Sequence, residues 1–412
     1  MKVMNRIILF DDKKSCSGCG ACFNICPKQA IEMKEDEYGF IYPCINKDKC
    51  IKCGLCKKVC YFQNKNTLSK SQEKTYVAIS NDTELKESAS GGVFSSIAQA
   101  VLKNDGDVYG CSMIYENNQL IPRHICISQL NDLIKLKGSK YIQSYSYGVY
   151  KEIKEKLEAN KLILFSGTPC QIAGLKGYLQ KNYETLYTIE IICHGVPSVK
   201  LFHDYIHMIE KNENIKIVDY KFRDKSDGWK LNGKITYINN EGNLKEKCFE
   251  PEESSYYQMF LNSYTYRKNC YSCPYASKNR QGDITIGDYW CIDLVHPEYM
   301  KNNGGKVDDS KGVSCLVINN DKGNNLIKKF GNGIQYLEST YDNASKYNRQ
   351  LTTPSSYKKE RDLVLQMYIA NGYDDIEVWY QKRLRKIKFK RYIRSKVPKW
   401  IKTFYRTYLN TK

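Results

Sequence analysis

Two cysteine runs dominate the chain. Cys16, Cys19, Cys22 and Cys26, followed by Pro27, are repeated as Cys50, Cys53, Cys56 and Cys60. Both runs read C-x2-C-x2-C-x3-C. This spacing predicts a ferredoxin module with two 4Fe–4S clusters, in which the fourth cysteine of each run crosses to the other cluster. Cys16, Cys19, Cys22 and Cys60 are then expected on one cube, and Cys50, Cys53, Cys56 and Cys26 on the second. Thiolates are soft ligands that suit iron and sulfide. Zinc knuckles would use two separated C-x2-C pairs, not a run of three with a fourth beyond it.

A second set is less tightly spaced. Cys270 and Cys273, followed by Pro274, form another metal-type pair. Cys170 and Cys193 each follow a predicted strand, where backbones commonly converge on a ligand. Together the four can close around one more 4Fe–4S cluster. A zinc site, or ordinary buried thiols at Cys170 and Cys193, are alternatives that spacing leaves open. Cys170 also falls in the first turn of a predicted helix, where the dipole favours a thiolate. Cys44, Cys111, Cys126, Cys248, Cys291 and Cys315 have no partner spacing and read as core or incidental. His203 and His207 stand one helical turn apart, but no third ligand accompanies them, so no zinc site is expected there.

These residues need elements to hold them. Tyr76 to Ser80 reads as a strand. Ser90-Gly91-Gly92 precedes a helix with Phe94, Ile97, Ala98, Val101 and Leu102 on one face, and Asp107 to Ile114 reads as the next strand. Leu162 to Phe165 leads into Thr168, an N-cap, and Pro169 at the first helical position. Tyr187 to Ile192 runs into Cys193-His194-Gly195. Further strands are expected at 217–222, 235–238, 284–286 and 313–318. Alternating strands and helices predict a mixed α/β body.

The chain has 412 residues, enough for two or three domains. Eighteen grouped cysteines, no secretory signal and no membrane-length apolar stretch argue against a disulfide framework and for a reducing cytoplasm, in an anaerobic setting. The net charge of +19 is uneven. Residues 381–412 hold thirteen Lys and Arg and no acid, which leaves +6 for the first 380. In the tail, Val397, Trp400, Ile401, Phe404, Tyr405, Tyr408 and Leu409 recur at helical steps beside Lys399, Lys402 and Arg406. Such a stripe docks on the protein's own body or lies on an anionic membrane; nucleic acid is an unlikely partner.

The motifs, taken in order, resemble the beta subunits of coenzyme F420 hydrogenases and dehydrogenases, with related ferredoxin-fused flavoproteins. The matching stretches are Ser90 to Phe94, Lys137 to Ser144, Gly167 to Gln171, Ile192 to Ser198, Phe222 to Lys225 and Cys270 to Asp288. The ferredoxin fusion and basic tail look like a bacterial branch suspected of roles in surface-polysaccharide assembly. The resemblance implies FAD beside a third 4Fe–4S cluster, on Cys170, Cys193, Cys270 and Cys273. FAD rather than FMN rests on the resemblance, since no G-x-G-x-x-G follows a strand outside the cysteine loops. Ser90, Gly91 and Gly92 are expected to offer backbone N–H groups to a phosphate, although a plain turn explains them as well. Lys140 is expected near the pyrophosphate, with Ser139, Gln143, Gly167 and Thr168 also contacting the cofactor. His194 is a candidate proton donor or a structural histidine, and Asp288 a candidate to orient flavin or substrate or to cap a strand.

The expected architecture is a two-cluster ferredoxin domain (1–62), a linker (63–74), a flavin-binding domain (75–160), a second body domain (161–355) and a basic amphipathic helical tail (356–412). The expected function is an iron–sulfur flavoprotein oxidoreductase, working between a low-potential electron donor or acceptor protein and a small-molecule substrate. The alternative is an electron-transfer subunit serving a partner enzyme. Localisation is expected to be cytoplasmic, with peripheral contact at the membrane's inner face through the tail.

Overall fold

The computed structural model describes residues 7–64, 74–81, 85 and 87–396, with side chains described through 389. Most of the expected linker and the aromatic stripe of 397–409 lie outside the described residues.

The cysteine runs are carried on short pieces. β1 (Ile31–Glu35) pairs antiparallel with β2 (Ile41–Ile45), and two single-turn helices, Ala21–Ile25 and Leu55–Lys58, flank this hairpin. Each helix begins after a glycine with φ of 78°, Gly20 and Gly54. At Gly20 the constraint is double: a Cβ there would stand 2.0 Å from Cβ of Tyr147.

The body is built on an eight-stranded mixed sheet. Its first strands are β3 (Lys74–Ser80), β4 (Asp107–Glu116), β5 (Gln119–Ile127), β6 (Ile163–Gly167) and β7 (Leu186–Ile191). Three strands, β8 (Lys216–Lys221), β9 (Gly233–Ile238) and β10 (Leu244–Phe249), form a separate antiparallel sheet. β11 (Ile284–Asp288), β12 (Ser314–Ile318) and β13 (Ile334–Ser339) return to the main one, whose order is β13-β3-β12-β11-β7-β6-β4-β5. The four strands β11, β7, β6 and β4 run parallel, with antiparallel neighbours outside them. Parallel strands are buried on both faces and read as continuous apolar runs; Ile163, Leu164 and Phe165 have no exposed surface. One face is covered by helix Val93–Lys103 and helix Asp321–Phe330, the other by helices Tyr150–Glu158 and Pro169–Leu179.

Every strand expected from sequence forms, within a residue or two. β5 was not foreseen. Pro122 breaks its pattern, but β5 is the last strand of the sheet, where a missing N–H costs no ladder bond.

The C-terminal segment, expected as a separate helical tail, instead packs into the body. From 359 it makes two helices, Lys359–Asn371 and Tyr373–Lys396. Val364, Tyr368, Tyr373, Ile376, Tyr380 and Leu384 join Phe202, Tyr205, Tyr220 and Tyr256 in the largest core cluster. The buried tyrosines keep hydrogen-bond partners: Tyr373 Oη lies 3.0 Å from Ser255 Oγ, and Tyr380 Oη donates to Glu252 O at 2.7 Å. As far as Leu384 this segment is therefore body, not a separate tail. Its apolar face is narrow among many charges, which is why composition alone hid it. Among the described residues no helix is long and apolar enough to cross a membrane.

The ferredoxin module is fastened to the body at Cys19. Tyr150 Oη lies 3.0 Å from Cys19 O and 3.1 Å from Gln171 O. Gly174, inside helix Pro169–Leu179, leaves room for the same residue: a Cβ at 174 would stand 2.8 Å from Cys19 Cβ. Ser198 Oγ donates to Tyr38 O at 2.7 Å, a second tie between the two parts.

Candidate metal centres and cofactor cleft

The twelve motif cysteines fall into three chambers. Cys16, Cys19, Cys22 and Cys60 line the first. Cys26, Cys50, Cys53 and Cys56 line the second, so the fourth cysteine of each run does cross over. Cys170, Cys193, Cys270 and Cys273 line the third. Among the described residues, no three His, Cys, Asp or Glu side chains converge tightly enough to chelate one ion. Cubane ligands bind separate irons at the corners of a cage, so their sulfurs stand apart around it.

Local structure aims the third set. Cys170 is the second residue of its helix, which a reciprocal capping box between Thr168 and Gln171 starts. Cys193 follows β7. Cys270 lies on the 3-10 turn Lys268–Ser272, and Cys273 directly follows it. A buried ion pair braces this loop. The Arg280 guanidinium donates to Glu190 of β7 and, at 2.9 Å, to Tyr275 O. Glu190 also accepts from Gln281 N at 2.8 Å, Gly282 N at 2.9 Å and Thr285 Oγ1 at 2.8 Å.

Burial decides the state of these thiols. It pushes Cys270 up to about 12 and Cys273 up to about 11, with neighbouring cysteines adding to the rise. Cys193 is raised well above the ordinary range for the same reasons. Cys170 is also raised by burial, although Thr168 Oγ1, 3.1 Å from its sulfur, opposes this. The helix start therefore does not make Cys170 a free thiolate. Iron would, because a coordinating thiol loses its proton outright.

Arg267 was not singled out from sequence. Its side chain is fully buried between the first and third chambers. Nε donates to Cys16 O at 2.9 Å, Nη1 lies 3.4 Å from Gln143 Oε1, and the guanidinium is 3.9 Å from the centre of the Tyr42 ring. Among the described residues no carboxylate lies within 4.0 Å of it. A buried cation without a counter-charge is costly; anionic clusters in the flanking chambers would supply one. Only its position three residues before Cys270 could have hinted at this.

A cleft of about 480 Å³ opens beside the third chamber. Ser90, Gly92, Ser139, Lys140, Gly167 and Thr168 line it, and so do His194 and Asp288. Two expected contacts fall elsewhere. Gly91 N–H donates to Ser314 Oγ at 2.9 Å, and a Cβ at Gly91 would stand 2.5 Å from Ala78 O. It serves close packing on the sheet, not a phosphate. Gln143 faces the third chamber instead of the cleft. Lys140 Nζ donates to Lys137 O at 2.7 Å, and burial lowers its pKa. His203 Nε2 lies 2.9 Å from Leu120 O, a structural contact.

At the far wall, Arg223 Nη1 donates to Asp288 Oδ2 at 2.9 Å, while Asp288 Oδ1 is buried with no partner among the described residues. Trp290 stacks on Trp229, with ring centres 5.3 Å apart. His194 is exposed at the cleft. The protein packed around it lowers its pKa, and Asp288 opposes this.

Two stretches match known families. Residues 15–64 match a 4Fe–4S dicluster domain. Residues 160–342 match the C-terminal part of the beta subunit of coenzyme F420 hydrogenase/dehydrogenase. The second match places a domain of that beta-subunit type in the body of this chain. Three relatives come from archaea. An uncharacterised protein of Methanocaldococcus jannaschii is 25% identical over 77% of this chain and 87% of its own length. A coenzyme F420-dependent sulfite reductase of the same organism is 28% identical over 48% of this chain, but the match spans only 30% of the reductase. A component of the F420H2 dehydrogenase of Methanosarcina mazei is 27% identical over 43% of this chain and 53% of its own length. The chain is related to iron–sulfur electron-transfer oxidoreductases and is a mixed α/β body carrying an N-terminal 4Fe–4S domain.

The cleft wall also sets a pH dependence. His124 is 2% exposed, with Nε2 3.0 Å from Ser166 O and Nδ1 3.2 Å from Ser144 Oγ. Burial first, offset by the Ser166 carbonyl, pushes its pKa down to about 4 from 6.5. Between those values the unfolded chain binds a proton that the folded chain does not. Stability is therefore expected to fall as pH drops from about 6.5 to 4, by about 3 kcal/mol from this residue. Urea midpoints across that range, compared with His124→Gln, check it; the variant should lose that part of the slope.

Proposed function

We propose that the chain is an iron–sulfur flavoprotein oxidoreductase, passing electrons between a low-potential carrier, three 4Fe–4S clusters, FAD and an organic substrate. The observation that carries this is the stretch Cys193-His194-Gly195-Val196, which lines both the third chamber and the cleft. When bound, the clusters supply single electrons and the flavin couples them to two-electron chemistry.

The chain's own residues have separate tasks. The twelve cysteines hold the three clusters in the groupings above. Arg267 balances charge between the first and third. Ser90, Gly92, Ser139 and Thr168 offer polar contacts along the cleft, whose volume is in the range of cofactor sites. His194, open to the cleft, can hold or release a proton there. Arg223 fixes one oxygen of Asp288 and leaves the other to orient what enters.

Anaerobic purification with iron and flavin quantitation tests this. The expected result is about twelve irons, by the four-cysteine rule for each cluster, and one flavin released as FAD. A fully iron-loaded chain that takes up no flavin at saturating FAD would refute the flavin reading. A chain without iron would refute all of it.

A further inference from the structure

The second chamber differs from the other two in what surrounds it. Of the twelve motif cysteines, only Cys53 is exposed. The first chamber lies under the body, and the third is inside it. Lys28, Ile51 and Lys52 line the mouth of the second. Ile51 is 57% exposed, a large apolar side chain beside the cluster ligands. Around it Lys47, Lys49 and Lys58 are also exposed, and Lys57 partly so. Among the described residues none of these six lysines has a carboxylate within 4.0 Å. Nearby acids are few: Asp48 stands between two of the lysines, and Glu32 is paired with Lys34 at 2.8 Å.

An apolar centre with a rim of one charge is the pattern of a transient docking site. We propose that this face docks an acidic one-electron carrier protein, with Ile51 at the centre and Lys28, Lys49 and Lys52 steering. The proposal rests on the iron–sulfur reading and deepens it by naming the partner's chemistry. One electron leaves the carrier's reduced iron–sulfur centre, and one enters the cluster held by Cys26, Cys50, Cys53 and Cys56. The carrier is oxidised and the cluster reduced by one electron, and no bond or proton moves. Ammonium groups with no carboxylate within 4.0 Å, next to that cluster, suit a partner whose own surface is anionic, and they speed encounter by long-range attraction.

The test uses the holoprotein and a strongly acidic two-cluster ferredoxin as probe. Charge reversal at Lys28→Glu, Lys49→Glu and Lys52→Glu is compared with reversal at three exposed lysines elsewhere, Lys211, Lys245 and Lys329. Both variants lose the same net charge, so a difference between them reports the face. We expect the first variant to weaken ferredoxin binding and slow its electron transfer by about tenfold or more at low salt, and the second to change either by far less. Ile51→Ser should weaken binding without altering its salt dependence. Dithionite, a small donor, should reduce all variants alike. If the two triple variants behave the same, the docking face is refuted while the clusters stand. If dithionite reduces none of them, the iron–sulfur reading itself fails.

Discussion

Replacing Cys270 and Cys273 together by alanine is expected to lower bound iron from about twelve to about eight per chain, given four irons per four-cysteine site. The two residues supply two of the five thiols lining the third chamber, Cys19 being the fifth, and neither lines another. The first two clusters should remain reducible by dithionite, because neither Cys270 nor Cys273 lines their chambers. Flavin, if present, should no longer be reduced through the ferredoxin module. Iron analysis with spectroscopy of the reduced protein reads both effects. Unchanged iron content would show that these cysteines hold no cluster. Loss of all iron would show that the chambers are not independent.

The second large effect concerns Glu190. Both Glu190 and Arg280 have side chains at most 1% exposed. Glu190→Gln leaves the Arg280 guanidinium buried without its counter-charge, and breaking such a pair costs about 3–5 kcal/mol. The same change weakens the acceptor for the backbone N–H groups of Gln281 and Gly282. Denaturant unfolding should show the loss directly. Because Arg280 also holds Tyr275 O, two residues past Cys273, iron release to a chelator should quicken as well. Replacing both members by apolar residues, Glu190→Met with Arg280→Met, should recover part of the stability, since no charge is then left stranded. A single variant as stable as the parent would show that the pair contributes nothing.

What the sequence disclosed and what it withheld divide by range. The cysteine spacing is local, and it led to the groupings that the chambers display. The Thr168-Pro169 helix start is also local, and it forms with its capping box. Arg267 and Cys16 are 251 positions apart, and Glu190 and Arg280 are 90 apart. Neither contact leaves any periodic trace. Gly91 shows the converse error: a glycine pair before a helix suggests anion binding, but one member is needed for sheet packing. The burial of the C-terminal helices was hidden because their inward face is made largely of tyrosines spread among charges. Those tyrosines become core only where a serine, carbonyl or carboxylate meets each hydroxyl.

Gly174 bears on how this molecule can work. By yielding its side chain it lets Cys19 rest directly on the body helix, and Tyr150 clasps the same backbone. The iron-binding lobe is thus welded in place, not a plug on a tether. On the proposed reading, electrons entering at the lysine-ringed port would reach the cleft through fixed parts, with no swinging arm to complete the circuit on each cycle.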